Sequence, residues 1–566
     1  MLLSVEPFDD SCEGTLLDLW FVGGEHKTVR PPCQPHYYSA VEQGDAELVR
    51  RRLLSKPNVE QMLYRVDFPT LASLDRYRLF GAMESHKRFV DVLTSDFGFD
   101  QPSAEPSVLS WDVESFTFSK IAPDWRRDTI RSISVWSQNY HSPDIVSLKV
   151  IAGDAVLMVG SDDEFGICWS VDDAHDEVWV IQQFIKFVQS FDPDVLCGYN
   201  DGDYDLRLLL TRCNALRIVC RLGRDGSIPY VIERRYERRG KEREIQLVRI
   251  RGRVHFDVLT EVLFDQTLYD LKGRGQVEVA AHFGFAPIED VNHASIPEER
   301  LAEVNLDDAR CCYGLAKLYS QNIYALCDYL KVPLNLMVER SPSHISNWFL
   351  GQEYSKLGIV SDGYNNERFP QIFARSGKWY QGGFVKCYKT GLFWKVEIVD
   401  FEGFYPTIMV DYNLSPETVS LVETKPYTGL YIYTHFIGYD IIEVPDKPKI
   451  VKGQESQALQ FVCRVDTSKD SVTRTRFKWI AEERVRLKAE YNKTKDEKLM
   501  SRQWALKTIQ NAAYGYNGTP YALYGNVLVS LLTCALGRFH IQELMGKLKK
   551  EGKQIIEVDT DGLYCV

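Results

Sequence analysis

The sequence predicts a multidomain α/β protein, on three observations. Its 566 residues are enough for several domains at roughly 100–200 residues each. Short apolar runs of strand length, punctuated by Gly, Pro and Asp, alternate with longer stretches of helical spacing. Several of those runs end in carboxylates, which are poor strand formers and costly to bury unpaired. With 45% hydrophobic and 26% charged residues, the composition is that of ordinary globular protein.

Residues 1–108 read as an N-terminal α+β block. The strand-like runs Leu16-Leu17 and Trp20-Phe21-Val22 precede a helix expected over Ala46–Leu54. Gln34-Pro35-His36-Tyr37-Tyr38 reads as a Pro turn packed beside aromatics. The next block opens on Val108-Leu109-Ser110-Trp111-Asp112-Val113-Glu114, a strand in which Asp112 and Glu114, two apart, share a face. Asp194–Asn200 is a strand entering a turn, and Asp201-Gly202-Asp203-Tyr204-Asp205 opens an apolar helix. Asp205 stands at or near the start of that helix, where a carboxylate is favoured as a simple cap. Arg251–Leu259 reads as a further strand. Leu301–Leu318 reads as a helix with Leu306, Ala309, Tyr313 and Leu315 inward and Asp308 close to that face. Asp112, Glu114, Asp205 and Asp308 in one pocket would repel strongly unless cations neutralised them. Such a set suits two-metal phosphodiester hydrolysis, in which ions about 3.5–4 Å apart activate water and stabilise the leaving oxygen. Spacing alone leaves their convergence open.

Tyr380-Gln381-Gly382-Gly383-Phe384-Val385 is a connector whose paired glycines allow close backbone approach to a ligand, or simply a turn. An apolar strand then ends at Asp400, and Gly403-Phe404-Tyr405-Pro406 bends into a helix. Two helices are expected between about 470 and 518. Arg484 and Lys488, four apart, face one way on the first. On the second, Arg502, Lys507, Asn511 and Tyr514 recur near helical spacing, and Gly515 leaves room for a large planar group. A basic stripe ending in Asn, Tyr and Gly suits a triphosphate under a flat base. Leu528–Met545 reads as a structural helix. Gln554-Ile555-Ile556 leads to Asp559-Thr560-Asp561-Gly562, a turn in which Gly562 can take positive φ. The resulting hairpin is either a solvated turn or a divalent-metal site with Asp400 as a further ligand.

Other classes are excluded or weakened. There is no uninterrupted 18-residue apolar run, so no membrane span is expected. Met1–Asp10 lacks the basic start and apolar core of a signal peptide. The 13 cysteines are scattered without a CxxC pair, and adjacent Cys311-Cys312 cannot easily share one tetrahedral site. Reduced thiols in a cytoplasmic protein are expected. Net charge is −12, which argues weakly against nucleic acid, yet binding needs only a local basic patch. Arg474–Lys507 holds 11 Lys/Arg and 5 Asp/Glu, an excess of six positive charges. That stretch is either such a patch or a solvated helical face.

These residues together resemble a family B DNA polymerase, most like the archaeal type. Asp400-Phe401-Glu402-Gly403-Phe404-Tyr405-Pro406, Lys507–Gly515 and Asp559-Thr560-Asp561-Gly562 are similar to its three polymerase motifs. Trp111–Glu114, Tyr199–Asp205 and Asp307-Asp308-Ala309 resemble its three exonuclease motifs, and Tyr380–Val385 its linking segment. The resemblance implies an N-terminal domain (1–108) and an RNase H-like 3′–5′ exonuclease domain (109–330). It then implies connector and palm (331–469), helical fingers (470–518) and the second part of the palm (519–566) of a right-hand polymerase.

Asp400 and Asp561, with Asp559 in support, would bind two Mg²⁺ ions. Asp112, Glu114, Asp205 and Asp308 would bind two more, with Mn²⁺ as an alternative. Arg484, Lys488 and Lys507 would hold the incoming triphosphate, Asn511 would line the same site with Tyr514 and Gly515, and Tyr405 would exclude a 2′-hydroxyl. Asn200 and Tyr204 would contact the exonuclease substrate. Primer-template DNA, dNTPs and a sliding clamp are the implied partners, and the cytoplasmic nucleoid the implied location.

The sequence departs from the family pattern at three places. Val304 stands where family members usually carry a Tyr, which puts water orientation at the exonuclease site in doubt. Glu557 replaces an aromatic two residues before the hairpin. The family continues past the hairpin with the rest of the palm and the thumb, so a separate C-terminal polypeptide carrying them is the expected partner. An inactive polymerase-like scaffold or regulatory subunit, and a nuclease working alone, are the competing expectations.

Overall fold

The structure is a computed structural model. It describes residues 2–9, 16–29, 36–39, 47–54, 56–67, 105–116, 124–138, 154–160, 163–238, 241–285, 297–340, 342–361, 363–373, 380–447 and 457–566. The chain is mixed α/β and divides into two compact units. The first holds Met1–Pro31 with Val92–Glu339, and the second Pro32–Asp91 with Arg340–Val566.

Six strands come first: β1 (Leu2–Asp9), β2 (Leu16–Phe21), β3 (His26–Val29), β4 (His36–Ser39), β5 (Glu47–Leu53) and β6 (Lys56–Asp67). β1–β3 form an antiparallel sheet in the first unit, while β4–β6 belong to the second. The helix expected over Ala46–Leu54 is instead β5, paired antiparallel with β6 along its length. The adjacent strand β6 supplies the hydrogen bonds on one edge and the distant strand Ile359–Val360 those at the end of the other, and this pairing overrides local helix preference. His36–Tyr38, expected in a turn, lies in β4, paired with β6. Gln34 and Pro35 lie outside the described residues.

The first unit continues with β7 (Val108–Phe116), β8 (Thr129–Gln138), β9 (Val156–Val159), β10 (Glu164–Ser170), α1 (Glu177–Phe191) and β11 (Val195–Gly198). Then come α2 (Asp205–Leu216), β12 (Tyr230–Arg238), β13 (Lys241–Arg249) and β14 (Val254–Asp257). Helices α3 (Val258–Phe264), α4 (Gln276–His282), α5 (Glu298–Leu330) and α6 (Leu334–Val338) complete it. The main sheet runs β14-β11-β7-β8-β10-β9. Its β14, β11 and β7 are parallel, and the rest antiparallel.

Asp176 caps α1 by accepting from the Trp179 amide at 2.9 Å. Val180, Ile181, Phe184, Phe187, Val188 and Phe191 then form its buried stripe. Phe184 stacks on Trp111 of β7 at 5.0 Å between ring centroids. The strand expected over Arg251–Leu259 is shorter, because Asp257 accepts from the Leu259 amide at 3.0 Å and starts α3.

α5 lies against β7, β8 and β10, and buried polar groups fix its register. Ser110 Oγ donates to the Ala309 carbonyl at 2.6 Å, and Ser134 Oγ to that of Asn305 at 2.7 Å. Asn305 Nδ2 donates to Ser132 Oγ at 2.7 Å. At Gly166 a Cβ would lie 2.4 Å from Trp136 and 2.8 Å from Leu306, so only glycine lets the helix come this close. An ionic knot joins the β2–β3 turn to the sheet: Asp194 accepts from the Gly23 amide at 2.9 Å and from Arg224 Nη2 at 2.8 Å.

The second unit adds α7 (Pro342–Lys356), β15 (Ile359–Val360), α8 (Asn365–Arg368), α9 (Pro370–Phe373), β16 (Val385–Cys387), β17 (Glu397–Asp400) and α10 (Phe404–Asp411). After these come β18 (Val419–Pro426), β19 (Ile432–Phe436), β20 (Tyr439–Asp446) and β21 (Leu459–Asp466). Three long helices follow, α11 (Val472–Thr494), α12 (Glu497–Asn517) and α13 (Val527–Lys550), then β22 (Ile555–Asp559) and β23 (Gly562–Cys565). β16-β22-β23-β17 form one antiparallel sheet and β18-β21-β20-β19 a second. Ile541 and Met545 of α13 pack on Ile555, Val558, Leu563 and Cys565 beneath the first.

α13 is long and apolar enough to cross a membrane, with a mean hydropathy of 1.2 in one window, but 72% of that window is buried inside the protein. It is a core helix by this packing. The cysteines at the described positions are free.

Replacing Phe184 with Ala should remove the Trp111 stack and leave a cavity, lowering stability by about 3–5 kcal/mol. Chemical denaturation followed by Trp fluorescence measures this loss.

Candidate functional site

Among the described residues, the first unit holds a close cluster of carboxylates and the second a looser set of acids around one hairpin. In the first unit, Asp112, Glu114 and Asp308 bring carboxylate oxygens within 4.8 Å of one another. β7 presents Asp112 and Glu114 on one face, and the serine-locked α5 brings Asp308 to them. Asp205 is the first residue of α2, and it does not act as the cap, since no side chain caps this helix. Its carboxylate has the amide of Val113, between the two β7 acids, as a hydrogen-bond partner.

Burial, then the charges of Asp205, Asp308, Glu114 and Asp201, push the Asp112 carboxyl well above its ordinary value. Burial and then the Asp201 charge do the same to Asp205. An all-oxygen set of close, buried carboxylates fits a hard divalent cation, which would relieve this repulsion.

Asn200 takes positive φ (63°) and donates its amide to Asp257 Oδ1 at 2.9 Å. The Tyr204 and Ser115 hydroxyls are 3.1 Å apart, and Trp125 meets the Tyr204 ring edge-on at 5.2 Å. Val304 is buried and packs with Leu301, so this position offers no hydroxyl to the cluster.

In the second unit the hairpin β22–β23 places Asp559 at its last strand residue and Asp561 in the turn. Asp400 pairs with Gly562 in the adjacent strand. A Cβ at Gly562 would lie 3.0 Å from Asp400 Oδ1, so a larger residue here would press on that carboxylate. The residue in the left-handed conformation is Thr560 (φ 57°), not Gly562 as the sequence suggested. Thr560 is held by its amide bond to the Phe384 carbonyl at 2.8 Å. Partial burial, then the charges of Asp400 and Asp559, raise the pKa of Asp561. Glu557 is exposed two residues before Asp559, and strand periodicity sets it on the same face of β22.

The connector glycines approach the protein's own side chains. A Cβ on Gly383 would come within 2.8 Å of Thr560 and of the Tyr405 hydroxyl. Arg538 Nη1 donates to the Gln381 and Gly382 carbonyls at 2.7 and 2.8 Å, fixing that segment. Tyr405, on the first turn of α10, lies against Tyr514 of α12 at 4.3 Å between centroids.

Along α12, Lys507, Asn511 and Gly515 are exposed at four-residue intervals, and the space over Gly515 is open. On neighbouring α11, Lys488 is exposed and Arg484 half-buried, with its Nε lacking a hydrogen-bond partner.

Sequence reasoning missed Asp201, His255, Asp257 and Arg538. Each acts through main-chain carbonyls, amides or partners far along the chain, which no local motif records.

Raised carboxyl pKa values carry a sign for stability. Such a group contributes most below its unfolded pKa and loses that contribution as pH rises through the folded one. Asp257, raised from 3.8 to about 7 by burial and the Asp201 charge, sets the window with Asp112 and Asp205. In EDTA the first unit should therefore melt at lower temperature as pH rises from about 4 to 7. Asp112→Asn should flatten that fall, read by thermal melts across the range.

Two family profiles match the chain: "DNA polymerase family B, exonuclease domain" over residues 80–271 and "DNA polymerase family B" over residues 335–561. DNA polymerase 1 of Pyrococcus abyssi is 26% identical over 432 residues, covering 72% of this chain and 51% of that protein. The DNA polymerase of Pyrococcus glycovorans is 25% identical over 547 residues, covering 92% and 62%. DNA polymerase 2 of Aeropyrum pernix is 27% identical over 427 residues, covering 73% and 48%. This chain thus spans about half the length of the curated relatives it matches. In fold it is similar to the family B DNA polymerase of the hyperthermophilic archaeon Pyrobaculum calidifontis, with a TM-score of 0.69 at 20% identity, covering all of this chain and 74% of that one. With profiles of both kinds in order along it, the chain belongs to the family B DNA polymerases.

Proposed function

We propose that the chain is a DNA-templated DNA polymerase with a 3′–5′ exonuclease, the two reactions residing in separate carboxylate centres. The observation that carries this reading is the meeting of Asp400, Asp559 and Asp561 at one sheet end, beside the Tyr405–Tyr514 pair. On this reading residues 1–108 are an N-terminal domain and 109–330 the RNase H-like exonuclease. Residues 331–469 and 519–566 form connector and palm, and 470–518 the fingers.

Asp400 and Asp561, supported by Asp559, would hold two Mg²⁺ ions, and Asp112, Glu114, Asp205 and Asp308 another two. Bound there, Mg²⁺, or Mn²⁺ in its place, would neutralise charge on the phosphates and ease deprotonation of the attacking oxygen. The chain's own groups do the positioning on which phosphoryl transfer depends. Lys507, Arg484 and Lys488, on α12 and α11, would take a triphosphate, and the unpartnered Arg484 Nε supports that use. Asn511 lines the same strip, and the open space at Gly515 admits a flat base. The Tyr405 ring, backed by Tyr514, would close the sugar pocket against a 2′-hydroxyl. In the other centre Asn200 and Tyr204 stand on the turn that leads into Asp205, where they would meet the strand end being trimmed. The substrates are primer-template DNA and dNTPs, and the workplace is the nucleoid.

Primer extension and 3′-end degradation test this together. They are run on the chain alone and with a polypeptide supplying the remaining length of its relatives. Asp400→Ala should cut extension by at least about 100-fold and spare degradation, and Asp112→Ala should do the reverse. Failure of every mixture to add nucleotides overturns the polymerase reading. Loss of both activities from either variant overturns the two-centre assignment.

A further inference from the structure

We propose that Asp201, clamped between Trp111 and His255, is a positioning residue for the acidic centre of the first unit; the proposal rests on the exonuclease reading above. Asp201 stands in the loop from β11 to α2 and is fully buried. Its Oδ2 accepts from Trp111 Nε1 at 3.0 Å, and its Oδ1 meets His255 Nε2 at 2.9 Å. Each oxygen thereby has a protein partner, and Asp201 is not among the three carboxylates that converge in the cluster.

The two partners explain what the clamp does. Trp111 immediately precedes Asp112 in β7, and its ring is fixed by the stack on Phe184. His255 lies on β14, and the sheet order β14-β11-β7 sets these two strands on either side of the strand that feeds the loop. One carboxylate therefore ties the loop to the strands on both flanks. Gly198, at the end of β11, makes the room: a Cβ there would lie 2.4 Å from the Asp201 Cβ.

The rest of the turn hangs from this point. The Asp201 carbonyl accepts from the Leu206 amide at 2.8 Å and that of Asn200 from the Tyr204 amide at 3.1 Å. Asn200, Tyr204 and Asp205 thus stand on a turn whose anchored end is Asp201. The choice of a carboxylate adds a second effect. Its charge acts on both Asp112 and Asp205, making the centre more attractive to a cation, while His255 keeps the clamp itself satisfied.

Mn²⁺ binding followed by electron paramagnetic resonance tests this on the full chain, in an Asp400→Ala background that removes the hairpin's contribution. Degradation of a single-stranded oligonucleotide is measured in parallel. Asp201→Asn should weaken Mn²⁺ binding about 10-fold and lower kcat by a similar factor, with KM for the oligonucleotide unchanged. Trp111→Phe leaves an aromatic ring facing Phe184 but removes the Nε1 donor together with part of the buried indole, and should shift Mn²⁺ affinity and kcat in the same direction. A merely structural role would lower melting temperature without moving Mn²⁺ affinity in the folded protein. Wild-type Mn²⁺ affinity and kcat in both variants, folded by circular dichroism, overturn the proposal; if Asp201→Asn does not fold, Trp111→Phe decides alone. Wild-type chain that binds Mn²⁺ through Asp112 but cuts nothing overturns the exonuclease reading instead, and the Mn²⁺ affinities of the variants still decide the positioning role.

Discussion

Like charge held close together is the constraint on which the first unit is built. Asp112, Glu114 and Asp308 have their oxygens within 4.8 Å, and Asp205 is near enough to raise the pKa of Asp112. Nothing in the apolar core favours such a meeting, so rigid scaffolding must impose it. Strand β7 of the mixed sheet supplies two of the acids, the serine and asparagine bonds to α5 set the third, and the Asp201 clamp sets the loop that carries the fourth. Each support is buried, because a support in water would yield before the charges did. Such an arrangement stores repulsion that a cation releases, which is how a protein without strong covalent chemistry can hold hard ions where they are needed.

The second unit solves the same problem with less burial. Asp400 and Asp559 sit at exposed strand ends, and Asp561 is only partly enclosed. Here backbone geometry does the work. Thr560 in the left-handed region turns the hairpin, Gly562 lets Asp400 close in, and Gly383 lets the connector lie across both Thr560 and Tyr405. Arg538, reaching from the core helix α13, holds that connector by its carbonyls. A centre of this kind stays open to a large substrate while its acids keep their spacing.

Part of each candidate site is legible in the sequence because its acids are close along the chain. Asp112 and Glu114 share a face by strand periodicity, and the hairpin acids are neighbours, so type and spacing suffice to nominate them. The supports were not legible. Asp201 finds Trp111 and His255 at separations of 90 and 54 residues, and no window spans them. The strand β5 differs from the expected helix for another reason: three consecutive arginines (Arg50, Arg51, Arg52) say little about either structure, and its pairing with the adjacent β6 and the remote β15 decides it. At Gly562 the residue type was informative but its use was not, since small size relieved a collision with Asp400 while Thr560 took the unusual torsion.

The two units are interleaved along the chain. Residues up to Pro31 belong with Val92–Glu339, and Pro32–Asp91 belong with Arg340–Val566. The Gly23–Asp194 bond is one stitch of this pattern. During synthesis the N-terminal strands therefore emerge long before the segments that complete their units. They must wait, unfinished, for partners still to be made, and late-forming pairings of this kind slow folding and lengthen the exposure of open strand edges. No single cut in the chain can release either unit whole.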